Sequence, residues 1–130
     1  MNRERGLRIL KEMLGEDQAA QVQRAWQEIS PDFEAYVIGF LSGEVWARPG
    51  LDRRTKSLCT IAALAALGRQ RGLDLNIRMA RRNGATRQEI VETLLHIAPY
   101  AGFPAAWEGI AAVHEIFGSG GANEDESSSS

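Results

Sequence analysis

Two polar residues lie on stripes that should otherwise be apolar, and both have chemistry to offer a small molecule. In "LDLNIRMARRNGAT", residues 73–86, Leu73, Asn76, Ile77 and Ala80 recur at i, i+3, i+4 and i+7, the spacing of one helix face. Asn76 therefore stands where burial favours an aliphatic side chain. A neutral amide there either lines a pocket or is a core amide bonded to a backbone carbonyl or a water. Glu44 repeats the pattern: Phe33, Tyr36, Val37, Phe40 and Leu41 mark one face of a predicted helix over 32–47, and that face continues to Glu44 and Arg48. Burial drives a carboxyl toward its protonated form, so an inward Glu44 would hold a proton at neutral pH and release it in a reaction, as a general acid must. The structural alternative is an ion pair with Arg48, Arg53 or Arg54.

The remaining reactive side chains carry weaker signals. The stripe Ile90, Val91, Leu94, Leu95 and Ala98 puts His96 on nearly the opposite side of its helix, facing solvent. Within one chain it would touch no chemistry, and only a subunit interface would bring it to a site. His114 borders the stripe Ala106, Ile110, Val113 and Phe117 near a helix C-terminus, where a cation suits the dipole. Cys59 reads as a small buried hydrophobe, and a lone cysteine excludes both an intramolecular disulfide and a CxxC relay. His96, His114 and Cys59 fall at no zinc-ligand spacing, so no metal site is expected. Trp26, Trp46 and Trp107 read as packing residues, with Trp46 placed beside Glu44 to wall a pocket.

Helices must position all of these residues. Apolar periodicity near 3.6 predicts elements at 3–14, 17–29, 32–47, 53–69, 73–83, 87–99 and 104–117, with no alternating β-branched run that would make a strand, so the fold class is all-α. Gly15 stops the first helix, Pro31 sits in a first turn, and "RPGLD" at 48–52 breaks the chain before Arg53. Thr86 and Glu89 fit a capping box behind Asn83-Gly84. The segment "SLCTIAALAAL", 57–67, is apolar nearly all round, which predicts a central helix surrounded by others. One domain is expected over 1–117, followed by a Gly-, Ser- and acid-rich tail over 118–130 that cannot offset its ordering entropy and should be disordered.

Composition narrows the class of partner. With 44% hydrophobic and 25% charged residues the chain has the make-up of a soluble globular protein, and no apolar run approaches the roughly 18–20 residues of a membrane span. A net charge of −2 without a basic strip argues against nucleic acid, although "RRTK" and "RMARR" are local clusters that suit an anion. The N-terminal stretch mixes charged and apolar residues at helical spacing and has no long hydrophobic region, so it does not read as a secretory signal, and a cytoplasmic location is expected.

The stretches "GEVWARPGLDRRTKSLCTIAALAALGR", "NGATRQEIVETLLHIAPYAGFPAAW" and "EIF" together make the chain resemble the carboxymuconolactone decarboxylase family, over roughly residues 5–117. The resemblance implies an all-helical fold of the alkylhydroperoxidase D type, assembly into a homo-oligomer (trimer or hexamer), and active sites lined by neighbouring subunits. It also implies decarboxylation of a carboxylated lactone without a cofactor. Redox members of the family carry a CxxC pair followed by a His; the corresponding positions here are Arg69, Gly72 and Asn76, so the redox branch is not expected. The decarboxylase branch keeps that His in a pattern like L-x-L-H-x-R, and this chain has Asn76 instead, with Trp107 where Asn is usual after "PAA". The resemblance thus makes the Asn76 slot a pocket position with altered chemistry, and Trp107 a residue that reshapes the pocket toward a different substrate.

On that basis the expected function is a cofactor-free decarboxylase of a small unsaturated carboxylated lactone or β-keto-type acid. Asn76 would donate a hydrogen bond to the enolate oxygen that develops. Glu44 would return a proton to carbon, Arg48 or Arg53 would orient the departing carboxylate, and His96 from a neighbouring subunit is the reserve acid. Two alternatives belong to other classes: an isomerase, cyclase or dehydratase on a cyclic intermediate, and a non-catalytic family relic.

Overall fold

Asn2, Ser30, Asp52 and Thr86 each accept a hydrogen bond from a backbone N–H three residues on, and each starts a helix. In this computed structural model, which describes residues 1–118, the described residues form seven α-helices, a π-helical segment and no strand, the all-α class expected. The predicted tail lies outside the described residues except for Gly118. The chain divides into two compact units, one of Met1–Leu51 and one that begins at Asp52.

In the first unit, α1 (Arg3–Leu14) buries Gly6, Ile9, Leu10, Met13 and Leu14, an α-helical stripe, and stops at Gly15, whose φ of 84° suits only glycine. α2 (Glu16–Ile29) carries two acids in its first turn, facing the positive end of the helix dipole. α3 (Pro31–Tyr36) begins with Pro31, whose missing N–H costs nothing there, and continues into the π-helical segment Val37–Val45. There the hydrogen bonds reach five residues, as in Trp46 N–H to Leu41 O at 2.9 Å. Wider turns move the buried positions to steps of four: Glu34, Ile38, Ser42 and Trp46.

This overturns the expected stripe. Phe33, Tyr36, Phe40 and Leu41 are 42–63% exposed, and the face turned inward is the small and polar one, with Gly39 and Gly43 between the buried positions. The reason is the closeness of α1. A Cβ on Gly6 would collide with the Ile38 carbonyl, and one on Gly43 with the Asn2 carbonyl, so larger residues cannot occupy the contact. Ser42 Oγ donates to Gly6 O at 2.7 Å and Arg5 Nε to Gly43 O at 2.6 Å, joining the two backbones directly.

In the second unit, α4 (Arg53–Leu67), α5 (Gln70–Arg82), α6 (Arg87–Ala101) and α7 (Phe103–Phe117) share one core. Ile61, Leu73, Ile77, Ile90, Leu94 and Val113 are at most 1% exposed, and each such side chain contributes about 1.5–3 kcal/mol on burial. The α4 helix is not enclosed as expected: it buries Ser57, Ile61 and Ala65, while Cys59, Ala63, Ala66 and Leu67 form an exposed face. All-round apolar composition here reflects small residues on a face left open, not burial on every side. The capping box at α6 forms as predicted, with Thr86 Oγ1 accepting from Glu89 N–H and Glu89 Oε1 from Thr86 N–H, both at 3.0 Å. Glu89 also accepts from Arg54 Nη1, tying the starts of α4 and α6 together. No helix among the described residues is long and apolar enough to cross a membrane.

Candidate active site

The α5 helix presents Leu73, Ile77 and Ala80 to the core as predicted, but Asn76 sits at the edge of that stripe and is only half-buried. Its Nδ2 donates to Gly72 O at 2.9 Å, one turn back in the same helix. One amide hydrogen is thereby committed. The other N–H and the amide oxygen have no partner among the described residues and are available to a ligand. The bond to a backbone carbonyl expected of a core amide is thus present, with one N–H left over.

Glu44 departs from its expected setting. The π-helical turns carry it off the buried face, its side chain is 41% exposed, and its Oε2 lies 2.9 Å from the α-amino nitrogen of Met1. The ion-pair alternative is thus what forms, with a partner none of the arginines supplied. Paired with an ammonium and open to water, Glu44 lacks the isolated apolar setting that makes a resting general acid. Trp46 is buried and Arg48 exposed on the same stretch.

The carboxylate that is buried is Glu34, 2% exposed, which sequence periodicity missed. Arg3 grips it with both terminal nitrogens, at 2.8 and 2.7 Å, and Gln23 Nε2 adds a third bond at 2.9 Å. The hydrogen bond from Arg3 holds the Glu34 carboxyl below its usual range, against the opposing effect of burial and with help from Gln23. Three satisfied bonds and a matched charge make this a structural tie of α1, α2 and α3 rather than a reacting group. The signal that could have found it is the set of small residues, Gly39, Ser42 and Gly43, five to nine positions after Glu34, because a close helix neighbour needs such a face.

In the second unit, Arg53 is half-buried in the first turn of α4. There Asp52 accepts the Thr55 backbone N–H at 2.7 Å, a bond that keeps the Asp52 carboxyl below its usual range. His96 is exposed, as its position opposite the stripe predicts, and its ring lies 5.9 Å from that of Tyr100. The same stretch exposes Leu95 (49%), Tyr100 (81%), Phe103 (70%) and Trp107 (75%). Trp107 is therefore left mostly uncovered by the described residues, against the packing expected of it. Cys59 is exposed rather than buried, and His114 is exposed near the end of α7 as predicted. Trp26 packs edge-on against Phe33 at 6.4 Å.

A cleft of about 370 Å³ opens where α4 ends and α5 and α7 begin. Leu64, Ala65, Leu67, Leu73, Pro104 and Ala105 give it apolar walls, and Gln70 and Glu108 are its polar side chains. None of Asn76, Arg53, His96 and Trp107 lines it.

The carboxymuconolactone decarboxylase family profile matches residues 31–115. Among characterised proteins, the chain is 40% identical to the 4-carboxymuconolactone decarboxylase of Acinetobacter baylyi over 112 residues, covering 86% of this chain and 84% of the relative. It is 33% identical to a nitrosuccinic acid decarboxylase of Metarhizium robertsii over 79% of this chain and 72% of that one. It is also 30% identical to an uncharacterised 15.0 kDa protein of Paracoccus denitrificans, over 79% of this chain and 75% of that one. Matched by the family profile over most of its length and by two decarboxylases across more than two thirds of theirs, this chain belongs to the carboxymuconolactone decarboxylase family and is a carboxy-lyase of that family.

Proposed function

We propose that this protein removes carbon dioxide from a small unsaturated carboxylated lactone or β-keto-type acid in the cytoplasm, without a cofactor. The observation that carries the reading is the 40% identity to a 4-carboxymuconolactone decarboxylase across most of both chains. The nitrosuccinic acid decarboxylase points the same way, because a nitro group, like a carbonyl, accepts the electron pair that a departing carboxylate leaves behind. The C–C bond to the carboxylate breaks, its electrons delocalise onto the acceptor oxygen, and a proton then closes the carbon.

Asn76 offers its uncommitted amide N–H to that oxygen, stabilising charge that exists only once the bond is breaking. Arg53 presents a planar guanidinium suited to orienting a carboxylate. His96 supplies the proton across a contact between copies of the chain, which act as a homo-oligomer; the exposed Leu95, Tyr100, Phe103 and Trp107 around it support such a contact. Glu44, in its exposed ion pair, is not assigned the acid role. Incubation with 4-carboxymuconolactone and related lactone and β-keto acids, reading carbon dioxide and product mass together, tests the reading. Release of carbon dioxide from at least one acid is expected. Mass-neutral conversion, loss of water, or no turnover on any of them refutes it.

A further inference from the structure

Four residues of α5 are exposed arginines, Arg71, Arg78, Arg81 and Arg82. Helical geometry puts Arg71, Arg78 and Arg82 on the side opposite the buried Leu73, Ile77 and Ala80, with Arg81 at its flank. Asp74 is the one carboxylate of this helix, and it already accepts Gln70 Nε2 at 3.0 Å. Arg71 and Arg78, two turns apart, have no hydrogen bond or ion pair among the described residues. From Asp52 to Phe117 the chain has nine Lys and Arg against six Asp and Glu, an excess of three positive charges. Three negative charges follow, on Glu124, Asp125 and Glu126, and no basic residue occurs after Gly118. We propose that the arginine face of α5 is the docking surface for this acidic segment of the same chain, held there by charge.

The place where the chain leaves the helices favours that occupant. Phe117 ends α7, and the Arg81 guanidinium lies over its ring, 5.1 Å from the centroid, so the chain departs beside the arginine face. Six peptide steps lead from Gly118 to Glu124. They reach at most about 20 Å, and α5 measures only about 15 Å from Arg81 back to Arg71. No residue from 119 to 130 offers more apolar surface than Ala122, so charge rather than burial must hold the contact. Single exposed ion pairs are weak, but a tether this short keeps the acids at about millimolar concentration beside the arginines. Docking would neutralise the face and keep it from binding other polyanions non-specifically.

Modification of arginines by phenylglyoxal on the full chain, read residue by residue by peptide mass spectrometry, measures the contact. At about 20 mM salt, Arg71 and Arg78 should react about threefold more slowly in the wild type than in the neutral variant Glu124→Gln/Asp125→Asn/Glu126→Gln. At about 1 M salt, where the screening length falls to about 3 Å, the difference should vanish. Arg24, exposed on α2, should react alike in both proteins. When wild-type chains are co-expressed with isotope-labelled neutral chains, the protection should stay with the wild-type chains. Equal rates at Arg71 and Arg78 in the two proteins, protection that persists at high salt, or equal protection of Arg24 would each overturn the proposal. Protection passed to the neutral chains would overturn it in favour of a neighbouring copy's acidic segment. Slower reaction in the neutral variant than in the wild type would overturn it in favour of an external polyanion.

Discussion

Removing the Arg3 side chain should reverse the way stability depends on pH. Glu34 is 2% exposed and its charge is answered by the Arg3 guanidinium and the Gln23 amide. Breaking a fully buried pair from one side costs about 3–5 kcal/mol. Because the Arg3 side chain is 47% exposed, water can partly replace it, and the expected loss for Arg3→Ala is about 2 kcal/mol. The pH dependence is the sharper test. In the wild type the folded Glu34 carboxyl lies below its unfolded value of about 4.3, so its contribution is complete above that value and is lost as pH falls through the folded one. Without the guanidinium, burial dominates and the folded value rises above about 4.3. The contribution is then complete below that value and is lost as pH rises through the raised folded value. Urea unfolding followed by circular dichroism from about pH 4 to pH 7 should therefore show a flat or rising wild type and a falling Arg3→Ala, with the double variant Arg3→Ala/Glu34→Gln flat again. Parallel profiles for wild type and Arg3→Ala, or a loss below about 0.5 kcal/mol, would refute the assignment of Glu34 as a buried, Arg3-dependent carboxylate.

Three further outcomes follow from the same geometry. Gly6→Ala places a methyl group against the Ile38 carbonyl, where backbone must move, and should cost about 3 kcal/mol or more, read as a lowered urea midpoint. Thr86→Ala removes half of the capping box at α6 and should cost about 1 kcal/mol by the same assay, whereas Thr86→Ser should restore most of it. Asn76→Ala should leave stability within about 0.5 kcal/mol, since a helix-favouring residue replaces one half-buried amide. It should lower kcat roughly a hundredfold with little change in KM, as expected of a group that acts in the transition state; an unchanged kcat would remove Asn76 from the mechanism.

Helix boundaries were legible wherever they are set by residues adjacent in the chain. The capping box at Thr86 and Glu89, Pro31 at a first turn, and the glycine stop at Gly15 are local events, and the sequence places each of them correctly. The all-α class followed from periodicity, and the family from motifs in a fixed order. Periodicity also named the core face of α5, where Leu73, Ile77 and Ala80 are buried.

What periodicity could not decide was which of two faces a neighbour would cover. The segment after Pro31 offers an aromatic face and a small polar one, and hydrophobicity alone selects the aromatic one. Tertiary structure selects the other, because glycines at 6 and 43 let α1 approach backbone to backbone and Arg3 and Gln23 satisfy Glu34. The π turns then shift Glu44 out of the register that an α-helix would give it. Burial of a charge depends on a partner distant in sequence, 31 residues away for Arg3 and Glu34, and that partner is invisible until the chain folds. The amino-acid order by itself determined the elements, the class and the family; only packing determined which carboxylate is buried and which aromatic residues are left exposed.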